Sequence, residues 1–564
     1  MRKGWILFVA GCTIIVAGAL LAHFTQTANG IRVQDVRFTG TNGTQMSALL
    51  YIPRTASREN PAPGILAVHG YINSRETQDG FAIEFARRGY VVLALDQAGH
   101  GYSDPPAFSN GYGGPDGLKY LRSLDIVDVN NIGLEGHSMG GWTVLDAAAT
   151  YPDGYKSIVL EGSSTGSGRA PEGSPRFPRN LALVFSQYDE FSQLMWNVPK
   201  AKEVTESRKL WAVFGTNAAV EPEHIYGSIA DGTARVLYTP IATHPGDHIS
   251  RAAIGYSLDW FSRTLKGGTY IPSDNQIWPW KELGTLAAFI GFVTLVLGAF
   301  ELLLQIQYFH RLARSPEISR KSRGASWWAT IIFSAFLPVL TFYPFMNYGE
   351  AWMRASATFP QSITNQILVW ALLNTAIGLC LSFLSRAPKT RPRSQIAPSI
   401  LLGLATVAIG YLSLVLTTFV FNVDFRFWVV GLKLLSHKQV PIFLIYLPGF
   451  FLFFSVLLRN LFSTLPVEAE RSSTQYATII MALAFGFIVF LTVQYVTLFE
   501  NGQLLTPDQP LLTIVAIQFL PLMIVVGLFG TFMYRRTGSY LPGALICSTF
   551  VTWYIVAGQA TQAV

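Results

Sequence analysis

The stretch NIGLEGHSMGGW at 131–142 crowds Gly136, Gly140 and Gly141 around the hydroxyl of Ser138, directly after a short apolar run. Gly136-His137-Ser138-Met139-Gly140 stands between a predicted strand at 132–134 and a predicted helix at 141–150. In that setting a serine becomes a nucleophile. The turn is so tight that flanking residues must be small, the hydroxyl is held up at the strand end, and the Met139 N–H is aimed where negative charge develops on an attacked carbonyl. Such a serine needs a base to take its proton and a carboxylate to orient that base. No thiol competes for the role, because the three cysteines, Cys12, Cys380 and Cys547, all fall in long apolar segments.

The elements that would position this serine follow from the hydropathy pattern. Residues 32–50 alternate around the turn Gly40-Thr41-Asn42-Gly43 and read as a β-hairpin. Continuous apolar runs at 64–68 and 90–95 have the character of buried parallel strands. Further strands are expected at 132–134, 156–160, 181–185 and 235–238, and helices at 78–88, 117–123, 141–150 and 249–265. A hairpin followed by βα units predicts a mostly parallel, doubly wound sheet. Residues 163–180, rich in Ser, Gly and Pro, read as a loop long enough for a small lid at most.

On these motifs the chain from about 31 to 266 resembles the α/β-hydrolase superfamily in its esterase, lipase and serine-peptidase branches. His69-Gly70-Tyr71 is similar to the family's oxyanion-hole loop, which makes the Tyr71 N–H the second donor beside Met139. Asp96-Gln97-Ala98-Gly99-His100-Gly101-Tyr102-Ser103 is similar to the family's structural turn after the next strand. The resemblance implies the order serine, acid, histidine. Asp189, after the strand at 181–185, is the expected acid, with Glu190 as the alternative. Two histidines then compete in Thr243-His244-Pro245-Gly246-Asp247-His248. Asp247 is a plausible cap for the last helix, which would set His248 in its first turn and favour it as the base; His244 precedes a proline and is the alternative. A metal site at His244, Asp247 and His248 has no further ligand cluster to complete it, so neither metal nor cofactor is expected.

The remainder is a different material. Half of the 564 residues are hydrophobic, too many for an ordinary soluble protein. Apolar runs near 4–24, 283–309, 326–345, 364–385, 397–421, 439–458, 475–499, 509–533 and 540–560 are each long enough to cross ~30 Å of hydrocarbon. The segments near 2–3, 311–323, 386–393, 459–471 and 535–536 hold fifteen Lys and Arg, against four (Arg354, Arg426, Lys433, Lys438) in the alternate loops. That bias predicts a multi-pass cell-membrane protein with the hydrolase-like part outside the cytoplasm. The formal net charge of +7 therefore reports topology, and nothing points to nucleic acid. An outer loop at 424–438 reads as an interfacial helix, and Glu301, inside a span, as either functional or snorkelling.

The expected organisation is an N-terminal anchor (1–30), the hydrolase-like domain (31–266), a linker (267–282) and a membrane domain of about eight helices (283–564). The expected function is a serine hydrolase acting on an ester, thioester or amide in a small-molecule, lipid or peptide substrate at a membrane. The rival reading is a transporter or assembly protein whose outer domain only binds. The sequence leaves the oligomeric state open.

Overall fold

The structure, a computed structural model, describes residues 2–318, 320–384, 396–559 and 561–564. Its contacts divide the chain into two compact units, one built on a sheet and one helical.

The sheet unit comprises Leu20–Gly284, Tyr495–Pro510 and Gly558–Val564. Strands β1 (Arg32–Thr39) and β2 (Gln45–Ile52) form the expected hairpin. They are followed by β3 (Ala62–Val68), β4 (Val91–Asp96), β5 (Val127–His137), β6 (Ser157–Glu161), β7 (Leu181–Val184) and β8 (Arg235–Tyr238). The order across the sheet is β1-β2-β4-β3-β5-β6-β7-β8. Strand β2 meets β4 antiparallel, and every pairing from β4 to β8 is parallel.

Side chains alternate between the two sheet faces with period 2. Leu66, Val68, Leu93 and Leu95 join one core with Leu118, Leu121, Val144 and Leu145, whereas Ile65, Ala67, Val92 and Ala94 join another with Phe81, Phe85, Leu258 and Phe261. The first core is thus closed by α3 (Gly114–Ser123) and α4 (Met139–Thr150). The second is closed by α2 (Asp79–Arg87) and α7 (Arg251–Thr264). The short α5 (Ser192–Trp196) and α6 (Arg208–Phe214) lie between β7 and β8 in the chain. Chain reversals of this kind leave the carboxyl ends of the parallel strands free to build a site.

Two segments far along the chain complete this unit. Gln562 donates its N–H to the Gly99 carbonyl and accepts from the Ala107 N–H, both at 2.8 Å. Gln503 donates its side-chain amide to the Pro199 carbonyl at 2.7 Å. The expected boundaries at 266 and 283 do not anticipate either segment.

The helical unit contains Met1–Ala19, Thr285–Gln494 and Leu511–Ala557. Its elements, some shared with the sheet unit, are α1 (Arg2–Gln26), α8 (Trp278–Leu303), α9 (Gln307–His310), α10 (Ala325–Leu340), α11 (Phe342–Trp352), α12 (Ser362–Leu384), α13 (Ile396–Phe421), α14 (Gln439–Thr464), α15 (Ser472–Asn501), α16 (Pro510–Thr537) and α17 (Leu541–Tyr554). Among the described residues eight helices are long and apolar enough to cross a membrane, or nine if the pair α10 and α11 counts as one span. These helices are compatible with a polytopic membrane domain. Arg386, Lys389, Arg391 and Arg393 of the charge pattern lie outside the described residues.

Two expectations need correction here. The span at 326–345 is two helices that meet at 49°; Pro338 in the last turn of α10 removes a helical donor and its ring crowds the preceding turn. The segment at 424–438 is a hairpin of β9 (Phe425–Phe427) and β10 (Val430–Leu432), not an interfacial helix. Its aromatic and branched residues suit a pleated surface, and an Asp424–Arg426 ion pair of 2.6 Å is buried on it. Glu301 is ion-paired to Arg536 in the same unit.

Candidate active site

Strand β5 ends at His137 and α4 begins at Met139, so Ser138 alone makes the turn between them. Its backbone is at φ +54° and ψ −122°, a region that non-glycine residues occupy only when their surroundings hold them there. The holding contacts are present. Its N–H donates to the Glu161 carbonyl at 2.8 Å, and its own carbonyl accepts from the Gly141 N–H at 2.9 Å and the Ser163 hydroxyl at 2.6 Å. A Cβ at Gly140 would collide with the Val68 carbonyl, which explains that glycine through close approach. Ser138 remains half-buried rather than sealed.

Met139 is the first residue of α4, where N–H groups have no partner within the helix. On the other side of Ser138, a Cβ at Gly70 would sit 3.1 Å from the Ser138 Cβ. The Gly70-Tyr71 backbone therefore runs beside Ser138. The His69 ring is fully buried and turned onto backbone groups. Its Nδ1 is 2.7 Å from the Gly70 carbonyl and its Nε2 accepts from the Gln97 N–H at 3.1 Å. A carbonyl only accepts, so His69 carries its proton on Nδ1.

The two histidines of the 243–248 loop are placed differently. His244 Nδ1 is 2.8 Å from Asp189 Oδ2. Its N–H donates to Glu190 Oε2 at 2.7 Å, and its carbonyl accepts from His137 Nε2 at 2.9 Å. His248, the residue favoured on helix-cap grounds, packs instead against His137, with ring centroids 4.0 Å apart and planes inclined by 49°, and meets Phe81 edge-on. The reason is the cap itself. Helix α7 starts at Arg251 and is capped by Ser250, whose Oγ accepts from the Ala253 N–H at 3.2 Å. Asp247 and His248 lie before it in a separate 3₁₀ turn, and Asp247 accepts from the Ser186 hydroxyl rather than capping α7. Of the residues expected from sequence, the structure brings Ser138, Met139 and the Gly70-Tyr71 backbone together beyond the carboxyl ends of the adjacent strands β3 and β5 and joins Asp189 to His244 rather than to His248.

Electrostatics separates these groups further. Burial lowers the His244 pKa, but the Asp189 charge and hydrogen bond outweigh it, and the imidazole stays more basic than an ordinary histidine. Burial and the neighbouring Asp189 charge lift Glu190 to about 7. His137 is pushed well below the ordinary value by burial and by His248 and His244, so it is neutral. Its 3.8 Å approach to Asp247 is then not an ion pair. Asp247 and Glu161 are both buried and both pushed well up, first by desolvation. At Gly162 the chain passes so close that a Cβ would lie 3.0–3.2 Å from His244 Nδ1, Asp247 Oδ2 and Asp189 Oδ2, and its φ of +51° also favours glycine.

Sequence reasoning overlooked His137 and the backbone role of Glu190. It also overlooked a signal in the register. Val184 of β7 pairs with Tyr238 of β8, and beyond the strand ends, with the register shifted by one residue, Tyr188 bridges Thr243. Carrying that register one residue onward sets Asp189 beside His244. Among the described residues no group of three or more His, Cys, Asp or Glu could hold a metal ion.

Residues 63–194 match the family model described as the alpha/beta hydrolase fold. With the strand order above, the architecture is decided. The sheet unit has the α/β-hydrolase fold. The match includes Ser138 and Asp189 but stops short of both loop histidines. An uncharacterized protein of Mycobacterium tuberculosis is 30% identical over 106 residues, covering 17% of this chain and 28% of its own. A monoacylglycerol lipase of Mycolicibacterium smegmatis is 30% identical over 133 residues, covering 22% of this chain and 45% of its own. This chain thus spans less than half the length of these curated relatives. A solved structure of a predicted CIB-like hydrolase from Thermoplasma acidophilum aligns over 42% of this chain and all of its own, at 17% identity and a TM-score of 0.30.

Proposed function

We propose that the protein is a membrane-bound serine hydrolase that works by acyl transfer, with Ser138 as nucleophile, His244 as base and Asp189 as orienting carboxylate. The observation that carries this reading is the 2.8 Å contact between His244 Nδ1 and Asp189 Oδ2, in the loop after β8, in the same fold as a strained serine turn. The Nδ1–H bond to Asp189 leaves Nε2 as the imidazole's free base position. In the first half-reaction the Ser138 oxygen attacks the substrate carbonyl while its proton passes to His244. The Met139 and Tyr71 N–H groups stabilise the oxyanion, and His244 returns the proton to the leaving group. Water, deprotonated by His244, then attacks the acyl carbonyl; the bond to the Ser138 oxygen breaks, and His244 gives the proton back to that oxygen. His248 has no step in this scheme.

The partial likeness to a monoacylglycerol lipase and the apolar helices support an ester with an acyl chain, presented at or near a bilayer, as the substrate class. The loop-charge bias supports placement of the hydrolase unit outside the cytoplasm. The test is labelling of the full-length protein by a fluorophosphonate probe. Wild type should be labelled at Ser138 and should hydrolyse a generic ester, and Ser138→Ala should do neither. An unlabelled, folded wild type would sink this reading and favour a binding module.

A further inference from the structure

His244 is fixed at its main chain as well as its ring, and one of its restraints comes from far along the chain. The Glu190 carboxylate is buried and uses both oxygens: Oε2 accepts from the His244 N–H at 2.7 Å, and Oε1 accepts from the Tyr495 hydroxyl at 2.9 Å. Tyr495 opens the segment Tyr495–Pro510 that belongs to the sheet unit. Four residues on, and so on the same face of α15, Phe499 meets Tyr188 edge-on with centroids 5.0 Å apart. Gln503 then reaches the Pro199 carbonyl. Tyr188 and Glu190 are the two neighbours of Asp189, and the Tyr188 N–H donates to the Ala242 carbonyl at 3.1 Å, two residues before His244. The end of α15 therefore touches the chain on both sides of the acid and, through Glu190, the backbone of the base.

We infer that Tyr495 and Glu190 are positioning residues for His244, so that the segment Tyr495–Pro510 is a working part of the catalytic unit. This rests on the reading of His244 as base. Neither residue touches the reacting atoms. Their role is geometric: the Tyr495 hydroxyl fixes the Glu190 carboxylate, and that carboxylate fixes the height of the loop from which the imidazole projects. Displacing a catalytic group by ~1 Å is enough to cost on the order of 100-fold in turnover. An imidazole held only by Asp189 and by the His137 contact to its carbonyl retains its partner but loses the restraint at its N–H.

The test uses the full-length protein, with kcat, KM, the rate of fluorophosphonate labelling of Ser138 and the thermal midpoint read in parallel. Tyr495→Phe removes one oxygen; we expect kcat and the labelling rate to fall together by about 10-fold, with KM unchanged and the thermal midpoint lowered by no more than the few degrees that one lost hydrogen bond costs. Glu190→Ala should lose about 100-fold in kcat. Glu190→Gln should stay within about 3-fold of wild type, because its carbonyl still accepts from His244 and its amide still reaches the Tyr495 oxygen. Wild-type kcat in Tyr495→Phe would overturn the inference, as would an effect on KM alone or equal losses in the Gln and Ala variants. Tyr495→Phe decides the matter if Glu190→Ala does not fold. A wild type that is not labelled at all defeats the proposed function; a labelled wild type with an unaffected Tyr495→Phe defeats only this inference.

Discussion

The two units bury polar groups in opposite ways. In the sheet unit, Glu161, Asp189, Glu190, Asp247, His137, His244 and His248 are all buried, at the carboxyl ends of β5 and β6 or in the loops that follow β7 and β8, and several have pKa values displaced by burial and by one another. In the helical unit, buried polar side chains are mostly neutral and tie one helix to the next. Asn374 bonds Thr341, Gln494 bonds the Tyr343 hydroxyl, and Tyr554 bonds Gln518. A clustered, titratable interior is costly unless it has a task. Paired amides and hydroxyls need no task beyond holding helices together. The difference agrees with placing the proposed chemistry in the sheet unit and gives the helical unit a packing logic of its own.

The sharpest way to break that contrast is to remove the proposed base. His244→Ala should lower turnover of a generic ester by roughly 10³-fold or more, because the Ser138 proton then has no acceptor. His248→Ala, which deletes a ring packed against His137, should cost far less. Kinetics on both purified, folded variants checks this; a dead His248→Ala beside an active His244→Ala would restore the helix-cap reading.

A change of pH gives an effect of intermediate size. The base must be neutral to act, so activity is lost as pH falls through its pKa, by about tenfold per unit. Because Asp189 holds the His244 pKa above its ordinary 6.5, the acidic limb of kcat/KM should have its midpoint above that value. Asp189→Asn removes the charge and should shift the midpoint down. A wild-type midpoint at or below 6.5 would contradict the Asp189–His244 pairing.

The smallest effect belongs to the helical unit. Gln518→Leu removes the acceptor for the Tyr554 hydroxyl and should destabilise the protein by about 1 kcal/mol, with turnover unchanged. Thermal unfolding and ester turnover measured on the same preparation test this. A large loss of turnover at unchanged stability would mean that the helical unit takes part in the chemistry.

The geometry of the candidate site was legible wherever its cause was local. Ser138 is recognisable because strand, tight turn and helix all lie within about twenty residues, and the glycines that relieve the turn are in the motif itself. Asp189 follows its strand closely enough for fold order to point to it. The choice between His244 and His248 was not legible by the same route. It turns on whether Asp247 caps α7, and the competing cap, Ser250, wins because Asp247 is drawn to Ser186, 61 positions earlier. The hairpin at Phe425–Leu432 was obscured because an aromatic, branched run of that length suits a strand or a helix surface equally until its neighbours are known.

Apolar period, run length and glycine spacing by themselves determined the doubly wound sheet, the long apolar helices and the tight turn at Ser138, because each of these is dictated by side chains a few residues apart. Tertiary structure alone decided which histidine meets Asp189 and which distant segments finish the sheet unit. Those outcomes depend on single hydrogen bonds between groups far apart in the chain: His137 to the His244 carbonyl, Tyr495 to Glu190 across 305 positions, and Thr561 to His100 across 461. No local preference encodes such a bond; it exists only once packing has excluded water and left each buried polar atom to find a partner within the protein.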